Sequence, residues 1–171
     1  MFLKIIGSFF IIIASVKIGL SINDKQKRKI TAIEEVIEML ETFKIRFEYE
    51  QITVLKLIED FSINGKSLIK NFSSVCLNEI KKGKKFNYAW DSAVSDFSDT
   101  SGITLETQNK IKDFASNLGK TALDGQLSII NFYILELKND LAQEREKLTQ
   151  SSKINLSCSI FGGLVFVIFL L

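Results

Sequence analysis

The chain has 171 residues, 22 Lys and Arg against 20 Asp and Glu, and no histidine. Setting aside Lys4 and Lys17 near the start leaves 20 charges of each sign, so the middle lacks the basic excess of a nucleic-acid footprint, and no nucleic-acid partner is expected. Without histidine the usual general base and the commonest neutral metal ligand are gone, and the two cysteines, Cys76 and Cys158, fall in different regions. No catalytic, cofactor or metal site is therefore expected.

Phe2 to Ile22 is almost wholly apolar. About 21 residues at 1.5 Å each suffice to cross about 30 Å of hydrocarbon, with Lys4 and Lys17 able to snorkel. A cleavable signal carries its positive charge in front, whereas here Lys25, Lys27, Arg28 and Lys29 follow the run. Residues 1–23 are thus expected to be a transmembrane helix. Leu156 to Leu171 is apolar again, and every acidic residue lies between the two runs. Residues 154–171 are expected to form a second transmembrane helix, short enough to call for local thinning of the bilayer. Small residues in the two runs, Ser15 and Gly19 in the first and Ser159, Gly162 and Gly163 in the second, are candidate helix-contact positions. Lys and Arg close to both runs on their inner sides favour a cytosolic middle.

Residues 24–153 are expected to be one all-helical bundle. Ile30, Ile33, Val36, Ile37, Leu40, Phe43 and Phe47 recur at intervals of three and four, with Asp24 placed to cap the start. Val54, Leu55, Ile58 and Phe61 make a second stripe ending at Asn64–Gly65. Leu68, Ile69, Phe72, Val75, Cys76 and Ile80 make a third ending at Gly83. Phe86, Ala89, Trp90, Ala93, Val94 and Phe97 make a fourth. Residues 98–103 read as a loop, and Thr104 as the cap of a fifth helix carrying Leu105, Ile111, Phe114 and Leu118 up to Gly119. Leu123, Leu127, Ile130, Ile134, Leu137, Leu141 and Leu148 keep near-heptad spacing on a last, long helix that leads into the final apolar run; the seam packs either within the domain or in a coiled coil.

The carboxylates at Glu34–Glu35 and Glu38–Glu41 sit at helix spacing among lysines, as on a solvated face, and Glu144 to Lys147 suggest local ion pairing. Trp90 reads as core. No phosphate loop, dinucleotide fingerprint or nucleophile elbow is present. Exposed charge on the first helix of the middle, Glu41, Lys44, Arg46 and Glu48, is the candidate partner interface.

In this order the segments resemble the stage III sporulation protein AB family. The resemblance rests on Lys4-Ile5-Ile6-Gly7, Ala14-Ser15 and Gly19 in the first apolar run and on Ala89-Trp90. It continues through Phe114 with Leu118-Gly119, Gln126, and Gly163 in the closing run. Phe43-Lys44-Ile45-Arg46-Phe47-Glu48-Tyr49 departs from the family's pattern by carrying bases where it has acids, and Ile52-Thr53-Val54 lacks its proline. The family's Asp-Arg and His near the start of the long helix are also missing around Ala122, Leu123 and Ile129. The resemblance implies a bundle similar to the cytoplasmic domain of type II secretion F proteins. It further implies a non-enzymatic platform in the channel complex between mother cell and forespore, in the mother-cell membrane facing the forespore. The implied partners are the ATPase stage III sporulation protein AA, other stage III sporulation membrane proteins and membrane lipid. Self-association is left open. The alternative is a bitopic coiled-coil structural protein of the envelope or division machinery.

Overall fold

In the computed structural model, six α-helices and no strand occur among the described residues. The backbone is described for residues 2–50 and 52–170, and the side chains for residues 21, 23–50 and 52–150. The helices are α1 (Phe2–Glu50), α2 (Val54–Asn64), α3 (Ser67–Lys81), α4 (Phe86–Ser101), α5 (Leu105–Asn117) and α6 (Leu123–Leu170). Among the described residues no helix is long and apolar enough to cross a membrane. The two expected spans, and with them Ser15, Gly19, Ser159, Gly162 and Gly163, lie outside the described side chains.

The chain divides into two compact units. One comprises residues 29–142 and holds every core residue among those described. The α1 stripe is buried throughout, from Ile30 to Phe47, because residues three and four apart share one face of the helix. α3 contributes Ile69, Phe72 and Cys76, and α4 contributes Ala89, Trp90, Ala93, Val94 and Phe97. Ile130, Ile134 and Leu137 of the heptad seam are also buried there, while Leu127 and Leu141 are half-buried and Leu123 is 41% exposed. Ring contacts thread the helices together. Phe43 meets Phe61 and Phe114, Trp90 meets Phe72, Phe86 and Phe114, and Phe114 meets Tyr133, with centroids 4.9–6.2 Å apart. Offset and edge-on geometries at these distances favour aromatic pairs beyond their area alone.

Helix boundaries follow local chemistry. Thr53 caps α2 through Lys56 N–H, and Thr104 caps α5 through Thr107 N–H. Gly65 ends α2 for a steric reason: a Cβ there would lie 2.4 Å from the Phe61 carbonyl oxygen. Gly102 ends α4 in the left-handed region at φ 71°, a conformation that a Cβ disfavours.

Four sequence expectations need correction. Asp24 caps nothing, because α1 runs through it without a break. The expected loop at 98–103 begins too early: residues 98–101 are helical, and the hydroxyls of Ser95, Thr100 and Ser101 bond back to carbonyls four residues earlier. Leu105 is 71% exposed, and the buried residue of that turn is Thr107. Leu57, not Leu55, is the fully buried leucine of α2.

The other unit comprises residues 1–28 and 143–171. Within its described part, Gln26 Nε2 donates to Glu144 Oε2 at 2.5 Å, and Lys147 bridges the same carboxylate at 2.8 Å. The expected local pairing on α6 is thus present, with Glu144 buried rather than solvated.

Candidate functional site

The four α1 residues proposed as an interface do not form one patch. At about 100° per residue, Glu41, Lys44 and Glu48 share a side of α1, and Arg46 lies about 140° from Glu41. Glu41 accepts an ion pair from Lys138 of α6 at 2.8 Å. Arg46 bridges Glu50 at 2.9 Å and Asp60 of α2 at 2.5 Å, so its guanidinium ties α1 to α2. The hydrogen bond to Glu50 first, and that to Asp60 after it, raise the Arg46 pKa. Asp60 is held below the usual carboxylate range, first by the Asn64 side chain and then by Arg46. Lys44 is half-buried and Glu48 exposed.

The carboxylates read as a solvated face are more structured than that. Glu35 Oε2 accepts the backbone N–H groups of Leu68 and Ile69 at 3.1 and 3.2 Å. Lys66, at the α3 N-cap, offers no side-chain cap, so a carboxylate from another helix fills the role. Lys66 in turn pairs with Glu38, whose hydrogen bond raises the lysine's pKa.

A second polar cluster is buried between α5 and α6. Asp140 accepts from Thr107 Oγ1 at 2.8 Å and from Lys110 Nζ at 2.6 Å. Lys110 also reaches Glu106 and Glu136 at 3.2 and 3.3 Å. Burial works against the Lys110 charge, but the hydrogen bond to Asp140 and then that to Glu106 outweigh it and raise its pKa. Such a shift makes the ammonium a fixed structural cation at neutral pH rather than a proton donor. Cys76 is inert for a related reason: burial pushes its thiol up to about 12. Among the described residues no group of three or more Cys, Asp and Glu could hold a metal ion.

A polar cleft of about 280 Å³ lies beside Glu35, Glu38, Asp60 and Lys66, and an apolar groove of about 410 Å³ lies at the end of the bundle where α2 and α4 begin and α3 and α5 end. Val54, Leu55, Ile80, Phe86 and Leu118 line the groove. Lys56, Lys81, Lys82, Lys84, Lys85 and Lys120 are exposed within a few residues of those walls. This surface was missed from sequence. Its one visible signal is Lys81-Lys82-Gly83-Lys84-Lys85, a run of bases between two apolar helix stripes.

The family model described as stage III sporulation protein AB matches residues 4–171. The chain belongs to that family. No curated protein and no solved structure matches it. Membership places the chain in sporulation. Ala89–Trp90, one of the motifs that suggested the resemblance, turns out to be an architectural centre. Trp90 is fully buried and its indole N–H donates to the Ile111 carbonyl at 2.8 Å.

Proposed function

We propose that this chain is a non-enzymatic, membrane-anchored platform of the channel complex between mother cell and forespore. Its helical middle faces the mother-cell cytosol and couples the ATPase stage III sporulation protein AA to the other stage III sporulation membrane proteins. The observation that carries this reading is the family match from residue 4 to residue 171, which takes in both apolar ends and the middle together. Basic residues flanking the ends support the orientation. The likeness to type II secretion F cytoplasmic domains enters as an analogy at the level of fold.

A platform needs a rigid body with its polar face free for docking. Residues 29–142 have the closed core for that role. The coiled-coil alternative needs the α6 seam for a partner helix, and Ile130, Ile134 and Leu137 are already buried against their own bundle.

On α1 the docking face reduces to Lys44 and Glu48 beside Glu41. Reversing Arg46 would break its bridge to Asp60 and confuse binding with folding. The test is recovery of the ATPase with the full chain, extracted in mild detergent from sporulating cells. We expect co-purification, and about a tenfold loss with Lys44→Glu, the effect of roughly 1.4 kcal/mol. A chain that never recovers the ATPase refutes the coupling role. Recovery unaffected by Lys44→Glu refutes this face alone.

A further inference from the structure

We propose that the groove at the α2–α4 end of the bundle receives an acidic amphipathic helix from a partner protein. The proposal rests on the groove's chemistry and stands whether or not the partner is the ATPase. The walls are hydrocarbon: Val54 and Leu55 from the start of α2, Ile80 from the end of α3, Phe86 from the start of α4 and Leu118 beyond α5. Leu55 remains 44% exposed although a fully buried leucine, Leu57, lies two residues away. A concave apolar site of about 410 Å³ is of the size that accepts anchor side chains from one face of a docked helix.

Charge selects which helix. Lys81, Lys82, Lys84 and Lys85 occupy the α3–α4 connection, Lys56 the first turn of α2, and Lys120 the residue after Gly119. Of the acids within a few residues of the walls, Glu79 is bridged by Lys82 at 2.6 Å and Glu50 by Arg46 at 2.9 Å, while Glu59 and Asp91 are exposed, so six lysines face four carboxylates of which two are paired. Neither α2 nor α4 has an acidic residue in its first turn, and Lys85 gives α4 no side-chain cap. Lys84 Nζ lies 5.1 Å over the exposed Tyr88 ring, extending an amphipathic rim from the groove edge. An acidic helix would lay its apolar stripe in the groove and its carboxylates against the lysines, which also steer the approach.

Two other anionic partners fit less well. A bilayer surface takes up a broad apolar face of large side chains such as Trp, Phe and Leu, whereas here Val54, Ile80, Phe86 and Leu118 are only half-exposed and Leu55 alone among the apolar walls is exposed. A nucleic acid has no use for an aliphatic floor and reads stacking aromatics or a longer basic track.

The experiment places benzoylphenylalanine at Tyr88 in the full chain, expressed as the sole copy in sporulating cells. After irradiation, the adducts are digested and sequenced by mass spectrometry. We expect one adduct, to a peptide with net negative charge and apolar residues spaced by three and four. It should fall about tenfold with Lys81→Glu/Lys85→Glu and with Leu55→Asp, and persist with Asn131→Glu on the exposed face of α6. Both lysines are exposed, so that variant decides the matter if Leu55→Asp lowers the amount of chain. No adduct, a neutral or basic peptide, a lipid or nucleic-acid adduct, or an adduct indifferent to lysine reversal overturns the proposal.

Discussion

The rings around Trp90 and the carboxylate of Asp140 lie in one bundle and are held in place by different forces. Trp90 is enclosed by Phe72, Phe86 and Phe114, with a single hydrogen bond from its indole to Ile111. Its stabilisation comes mainly from apolar area removed from water, which is non-directional and large. Asp140 sits among Thr107 and Lys110, where Coulomb attraction opposes the cost of desolvating two charges. The first arrangement supplies stability. The second fixes how α5 lies along α6, because only one register brings residue 107 and residue 110 to residue 140 together.

The comparison breaks most visibly at the tryptophan. Trp90→Ala in a fragment spanning residues 24–153 is expected to lose about 3–5 kcal/mol in urea unfolding, the range for a buried aromatic replaced by a methyl group. Trp90→Phe keeps most of the packing and removes the indole bond to Ile111, whose carbonyl keeps its place in the α5 ladder, so about 1 kcal/mol is expected. If the two variants were equally destabilised, the hydrogen bond and not the ring would be the main term.

The ionic seam gives a different signature. Asp140→Ala leaves Lys110, 19% exposed, with Glu106 and Glu136 still in reach. The expected loss is therefore about 2–4 kcal/mol, toward the lower side of that for a broken buried pair. Replacing both partners, Lys110→Met with Asp140→Leu, removes the desolvation cost as well and should fall within about 1 kcal/mol of the parent. A double variant as poor as the single one would mean that the seam contributes net stability and not only register. The raised Lys110 pKa sets the pH window. The seam's contribution is complete below the ordinary lysine value of about 10.4 and is lost as pH rises through the folded value.

These two regions were unequally visible in the sequence. The apolar stripes of α1, α3 and α4 could be read from their spacing, because helical burial repeats every three to four positions, although buried Ala32 and Met39 fall outside the α1 stripe and Leu68, Val75, Ile80 and Phe86 are only half-buried. Trp90 was placed in the core for that reason. Thr107 and Asp140 could not be found that way, since they are 33 residues apart and polar, and Leu105 was taken for the buried member of its turn. Glu35 shows the same limit. A carboxylate on the polar flank of α1 looks solvated until the chain folds α3 against it. The lysine-rimmed groove is assembled from the ends of four helices, so no single window of sequence contained it. Arg46 was assigned to a docking face, although its bridge to Asp60 shows that it also joins two helices.

Glu35 offers a smaller, sharper test of polar specificity. It caps α3 from α1 with two backbone hydrogen bonds. Glu35→Gln retains an acceptor but removes the charge favoured at a helix N-terminus, and about 0.5–1 kcal/mol is expected. Glu35→Ala removes both, and about 1–2 kcal/mol is expected. Hydrogen exchange at Leu68 and Ile69 should speed up in the alanine variant before exchange in α4 does. Uniform acceleration across the bundle would deny Glu35 a local capping role.

The Arg46–Asp60 bridge should give the smallest effect, and its pH dependence separates charge from packing. Asp60 is 42% exposed at its side chain, so solvent and salt screen the pair, and Asp60→Asn should cost less than about 1 kcal/mol at pH 7. The folded Asp60 pKa is lowered, so this contribution is present above the unfolded value of about 3.9 and is lost as pH falls through the folded value. Arg46 remains charged throughout that range. Parent and Asp60→Asn should therefore converge in acid, and should also draw closer at pH 7 in about 1 M salt, where the screening length is about 3 Å. A difference that survives salt but is lost in acid would belong to the Asn64 side chain, which donates to the same carboxylate at 2.7 Å and is the first cause of its lowered pKa, and not to the arginine.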